Sequence, residues 1–109
     1  MLSITVQHDI RHGLPEDTAK AVARKAVEAY GERFADYSFK HKWANENRVE
    51  LSFTVAGKTL VGALNVLPEV LRFELDVPFI FKPFSGQAVK IIEREAVVWI
   101  ERARKGELI

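Results

Sequence analysis

The sequence predicts an α+β domain, a five-stranded and mainly antiparallel sheet in the order 2-3-4-5-1 with two helices on one face, laid out along the chain as β-α-β-β-β-β-α. Three observations lead there. Leu2, Ile4, Val6 and His8 alternate with Ser3, Thr5 and Gln7, the period of a half-buried strand. Four further strand-like segments, at 37–43, 48–56, 59–66 and 70–79, follow one another with only short turn signals between them. Two other segments carry apolar residues at helical spacing, one beginning at Pro15 and one covering 88–103. At 109 residues, 48% of them hydrophobic, the chain closes one core and buries roughly 65% of its unfolded surface, so residues 1–109 read as one domain.

Each element has a local cause. Pro15 suits the first turn of a helix, Glu16 and Asp17 lie near the positive end of its dipole, and Ala19, Val22, Ala23, Ala26, Val27 and Tyr30 form its stripe. Gly31 is the expected stop, although Phe34 continues the stripe. Gly57-Lys58 as a two-residue turn pairs Val55 with Leu60 and Phe53 with Gly62, which sets an aromatic ring across from the bare glycine. A tight turn around Pro68-Glu69 pairs Val66 with Leu71, Leu64 with Phe73 and Gly62 with Leu75. Asn45-Glu46-Asn47 as a three-residue loop, with Asn47 left-handed, pairs Trp43 with Val49 and Phe39 with Phe53. All the hairpins agree on one apolar face, as side-chain parity requires.

On the other face this register generates rows of Lys42, Glu50, Asn65 and Arg72, then Lys40, Ser52, Ala63 and Glu74, then Ser38, Thr54, Val61 and Asp76. Such a mosaic is suited to water, and a Lys42–Glu50 cross-strand pair is worth only ~0.2–1 kcal/mol. Both helices therefore pack on the apolar side, and the long return through the first helix lets strand one pair antiparallel beside strand five.

The last helix has a wider stripe than a core needs. Ala88, Ile92, Ala96, Trp99 and Ala103 form its centre, Ile91 and Val98 flank one side, and Val89 and Ile100 flank the other. Either the one long helix wraps the small sheet deeply, or the surplus at Ile91 and Val98 is a second site, an apolar ligand groove or a contact between copies, with a homodimer through this helix as the simplest closed arrangement. Phe79, Phe81 and Phe84 crowd the helix entrance; Phe81 has the outward strand parity, and Phe81 and Phe84 complete the candidate partner-binding set.

Charge and composition exclude several classes. Sixteen basic and fifteen acidic residues are interspersed, leaving a net charge of +1 and no field that would favour nucleic acid. No apolar run approaches the ~20 residues of a membrane helix. Without cysteine there are no disulfides or thiolate metal sites, and a reducing cytoplasm is the expected home. His8, Asp9 and His12 lie close in sequence but span a strand end and a loop rather than one helical face. They make a poor metal or general-base set. His41 has inward parity and is expected as a core imidazole. There is no phosphate loop or nucleophile elbow. No cofactor, metal or catalytic residue is expected.

The stretch Leu75-Asp-Val-Pro-Phe-Ile-Phe-Lys-Pro-Phe-Ser-Gly86 runs a strand through two prolines into the last helix. With Gly62 behind it, it resembles the polyhydroxyalkanoic acid system protein family, small bacterial proteins of polyester storage granules. The matching positions are Gly62, Leu75, Pro78, Phe79, Lys82, Pro83, Phe84 and Gly86, all with structural readings. The resemblance implies a non-enzymatic accessory or binding protein of polyhydroxyalkanoate storage metabolism, granule-associated within the cytoplasm. The alternative is a small helix-grip-like carrier, which would hold an apolar or acyl ligand between the sheet and the last helix. That alternative requires a cavity of some ~300 Å³.

Overall fold

The computed structural model describes residues 3–107 apart from 56, 79, 80, 82 and 84, and only the backbone of residues 3, 4, 55, 85 and 88. Its elements are β1 (Ser3–Arg11), α1 (Glu16–Arg33), a 3-10 turn (Ala35–Tyr37), β2 (Lys40–Asn45), β3 (Arg48–Val55), β4 (Lys58–Val66), β5 (Val70–Pro78) and α2 (Ser85–Arg104). The strands form one antiparallel sheet in the order β1-β5-β4-β3-β2, which is the expected topology.

The inward parity is also as expected. Leu71, Phe73, Leu75 and Val77 of β5 and Leu60, Leu64 and Val66 of β4 are buried, while Arg72, Glu74 and Asp76 turn away. Both helices cover the apolar face, α1 over β4 and α2 over β1, and they run antiparallel. Ala19, Val22, Ala23, Ala26, Val27 and Tyr30 of α1 meet Ile92, Ala96 and Ile100 of α2 in one cluster with the sheet. A second cluster, Phe53, Leu60, Leu75 and Val77, lies at the other end of the strands.

Two turns differ from expectation. β3 and β4 pair Phe53 with Leu60, Leu51 with Gly62 and Val55 with Lys58, so Lys58 belongs to β4 and is not part of the turn expected at Gly57-Lys58. Gly57 supplies the positive φ, +77°, just before β4. The shift is two residues, which leaves every side chain on its face and for that reason escapes a parity argument. Leu51, not Phe53, lies across from Gly62. The outer rows change with it, to Lys42, Glu50, Ala63 and Glu74, and to Lys40, Ser52, Val61 and Asp76.

At the β2–β3 connection Trp43 pairs with Val49 as expected, but a bulge follows and Asn45 pairs with Arg48. Asn45 Oδ1 accepts the backbone N–H of Asn47 at 2.8 Å, an Asx turn that dispenses with a left-handed Asn47. The strained backbone falls instead at Ser38, with φ 53° and ψ 45°. Gly31 does not stop α1, which continues to Arg33 and closes with Phe34 N–H donating to Tyr30 O at 2.8 Å. At the far end α2 stops where Glu107 N–H reaches Arg102 O and Gly106 N–H reaches Ala103 O. These two bonds form a Schellman motif, with Gly106 at φ +73°.

Candidate binding surface

The exposed apolar surface of interest is built where the end of α1 meets α2. One turn beyond α1, Tyr37 N–H bonds Phe34 O at 2.9 Å, and the left-handed Ser38 then turns the chain sharply into β2. This leaves Phe34 buried, stacked on Phe53 at 5.6 Å between centroids, and Tyr37 45% exposed. Opposite them, α2 is fastened by two contacts. Tyr30, on the buried face of α1, donates its hydroxyl to Ile92 O at 2.8 Å, and Arg33 Nε lies 3.3 Å from Glu95 Oε2. Between the two helices runs a groove of about 380 Å³, lined by Arg33, Phe34, Tyr37, Ile91, Arg94 and Glu95.

The groove combines an apolar floor with positive charge. Burial, and secondarily the Glu95 carboxylate, pushes the Tyr30 phenol far above its ordinary range, so it remains a neutral donor to Ile92 O. The ion pairs among the described residues engage Arg33 through Glu95, Arg72 through Asp9 and Arg104 through Glu101; Arg11, Arg24, Arg48, Arg94 and Arg102 have no carboxylate partner among them, and of these Arg94 lines the groove.

Two of the four expected site residues lie on this surface. Ile91 is 38% exposed and lines the groove; Val98, two turns along the same flank of α2, is 40% exposed. Phe81 does not stand outward as its strand parity suggested. The strand has ended by that point, and the ring is half-buried against the cluster of Phe53, Leu60, Leu75 and Val77. Phe84 lies outside the described residues. Ile100, expected as a second surplus flank, is buried at 2%. Arg33, Tyr37 and Arg94 were not singled out in the sequence. Phe34 extending the α1 stripe past Gly31 was the one hint that the chain there folds back under α2.

Between the sheet and α2, where an enclosed ligand would sit, the described residues leave an apolar cavity of about 30 Å³, including Tyr30, Phe53, Phe73, Val89 and Ile92 in its walls. That is room for about one water and a tenth of what a small-molecule site needs.

The histidines have separate roles. His12 is fully buried, with Nε2 2.8 Å from Leu67 O and Nδ1 accepting the N–H of Leu14 at 2.9 Å. Those partners assign the Nε2–H tautomer, which clamps the β1–α1 loop to the β4–β5 turn. Arg104 Nη2 adds a bond to His12 O at 3.1 Å, tying in the end of α2. His8 lines the small cavity with Nε2 3.4 Å from Glu93 Oε2, without hydrogen-bond alignment. His41 is exposed and stacks on Phe39, not in the core as its parity implied, because the helices stop short of the edge strand β2. Among the described residues no group of three or more His, Cys, Asp or Glu side chains could hold a metal, and no described helix is long and apolar enough to cross a membrane.

Part of the outer sheet face is tied together by its own side chains. Arg72 grips Asp9 bidentately at 2.8 and 3.0 Å, holding that carboxyl below its ordinary range, and Arg48, Asn65 and Glu74 form a hydrogen-bonded chain. A family model described as "Putative polyhydroxyalkanoic acid system protein" matches residues 4–97. No curated protein matches the chain.

Proposed function

The chain belongs to the polyhydroxyalkanoic acid system protein family, and on that premise we propose that it is a non-enzymatic accessory protein that attaches to polyester storage granules or their coat. The observation that carries this reading is the exposed apolar flank of α2, Ile91 and Val98, continued by Tyr37 across the groove, while the cavity that the described residues leave between the sheet and α2 is only about 30 Å³. Exposed apolar side chains gathered on one flank support an interaction surface there. Attachment through it draws on apolar burial and resists screening by salt. Separating granules from the soluble fraction of producing cells at low and at high salt tests it: the protein stays with the granules in both. Complete recovery in the soluble fraction under both conditions contradicts the reading.

A homodimer through the same flank is the second reading, favoured by the exposure of Ile91 and Val98 two turns apart on one flank of the helix. Light scattering reads it directly. A dimer that Val98→Glu converts to monomer supports it, and a wild-type monomer at high concentration removes it.

A further inference from the structure

We propose that the groove between the end of α1 and α2 binds the carboxylate end of an aliphatic chain, of the kind a hydroxyalkanoate monomer or polyester terminus presents. The inference rests on the granule reading and adds to it a specific ligand class and a polar anchor. Three observations support it. The floor of the groove is apolar and partly open, with Phe34 beneath and Tyr37 and Ile91 exposed at 45% and 38%, which suits methylene groups. Its volume, about 380 Å³, falls within the range of small-molecule sites, whereas the cavity under α2 does not.

The third observation is charge. Arg33 and Arg94 stand against a single carboxylate, Glu95, and that carboxylate is already committed to Arg33 at 3.3 Å. One guanidinium, Arg94, is therefore left over at the wall of an apolar groove. A planar guanidinium matches a carboxylate in bidentate geometry, so one singly charged acid head completes the balance that the protein leaves open. The ester linkages of a polyester interior offer no such charge, which points to chain ends and free hydroxy acids rather than to the body of the polymer. The groove is open at the surface, so the rest of a longer chain can run outward while its terminus is held.

Arg94 is exposed, and its removal leaves the Tyr30–Ile92 and Arg33–Glu95 contacts in place. Arg94→Gln is accordingly a test of binding rather than of folding, with circular dichroism as the control. The experiment is a titration of the ¹⁵N-labelled full chain with 3-hydroxyoctanoate, followed by amide shifts, alongside its methyl ester. Saturable shifts at Tyr37, Ile91 and Arg94 are expected, with affinity reduced at least tenfold both in Arg94→Gln and for the ester. Equal affinity for acid and ester, an unchanged Arg94→Gln, absence of shifts, or shifts that follow protein rather than ligand concentration would each overturn the proposal. Co-sedimentation of the same samples with isolated granules separates the two ideas. Granule binding without ligand shifts overturns the carboxylate site alone, while loss of granule binding by the wild type overturns the reading beneath it.

Discussion

The Tyr30 hydroxyl donates to the backbone carbonyl of Ile92 across a 2.8 Å hydrogen bond, which together with the buried stripe of Ile92, Ala96 and Ile100 holds α2 in its rotation on the rest of the domain. With Ile92 turned into the core at 8% exposure, its neighbour Ile91 lies about 100° round the helix and faces the groove at 38%. A single buried phenol on α1 thus helps decide which flank of α2 is displayed.

Removing that hydroxyl has a pH signature. Burial holds the Tyr30 phenol well above its ordinary range, so above a pH of about 10 the unfolded chain releases a proton that the folded one keeps. The unfolded state then binds fewer protons, and stability falls as pH rises, by about 1.4 kcal/mol per unit from this group. Tyr30→Phe is expected to cost about 0.5–1.5 kcal/mol at neutral pH and to reduce the slope above pH 10. Urea denaturation of both proteins from pH 7 to 11 checks both effects.

His12→Ala is expected to destabilise by about 2–4 kcal/mol, since it empties a fully buried site and leaves Leu14 N–H and Leu67 O without their partners. The denaturation midpoint should drop with the m-value unchanged. A loss within 0.5 kcal/mol would show that the imidazole clamps nothing.

Gly62→Ala tests the close approach of β4 and β5. A Cβ there would collide with the Glu74 carbonyl and press Leu75 Cδ1 at 3.2 Å, so a loss of about 1–3 kcal/mol is expected. Gly57→Ala, which meets no atom within 4 Å, is expected to cost only its left-handed backbone, about 1–2 kcal/mol. Thermal unfolding reads both losses, and a Gly62→Ala variant as stable as the wild type would show that the strands accommodate the Cβ.

Sheet order, facing and the exposed flank of α2 were legible in the sequence because alternation and helical spacing report directly on which side of an element meets water. Ile91 and Val98 emerged this way, as residues surplus to a stripe centred on Ile92 and Ala96. The β3–β4 offset was not legible, since Gly57 fits either central position of a tight turn and a two-residue slip keeps Phe53, Leu51 and Gly62 on the same face. Phe81 and His41 were misjudged because parity presumes a continuous strand under a continuous cover. Phe81 lies beyond the end of β5, and His41 lies beyond the reach of the helices. The groove itself depends on Ser38 taking a left-handed turn after Tyr37, an uncommon choice for a serine that no spacing rule anticipates.

The central claim, granule attachment through the α2 flank, is tested most directly by sedimenting purified protein with isolated granules, comparing the wild type with the Ile91→Ser, Val98→Ser double variant. Covering the exposed two-fifths of each side chain contributes about 0.6–1.2 kcal/mol, so the pair together is worth about tenfold in affinity at the low end of that range and more at the high end. The account expects saturable wild-type binding that persists in 1 M NaCl and is weakened about tenfold or more in the folded double variant. Equal binding by the two proteins, or wild-type binding abolished by salt, would contradict it.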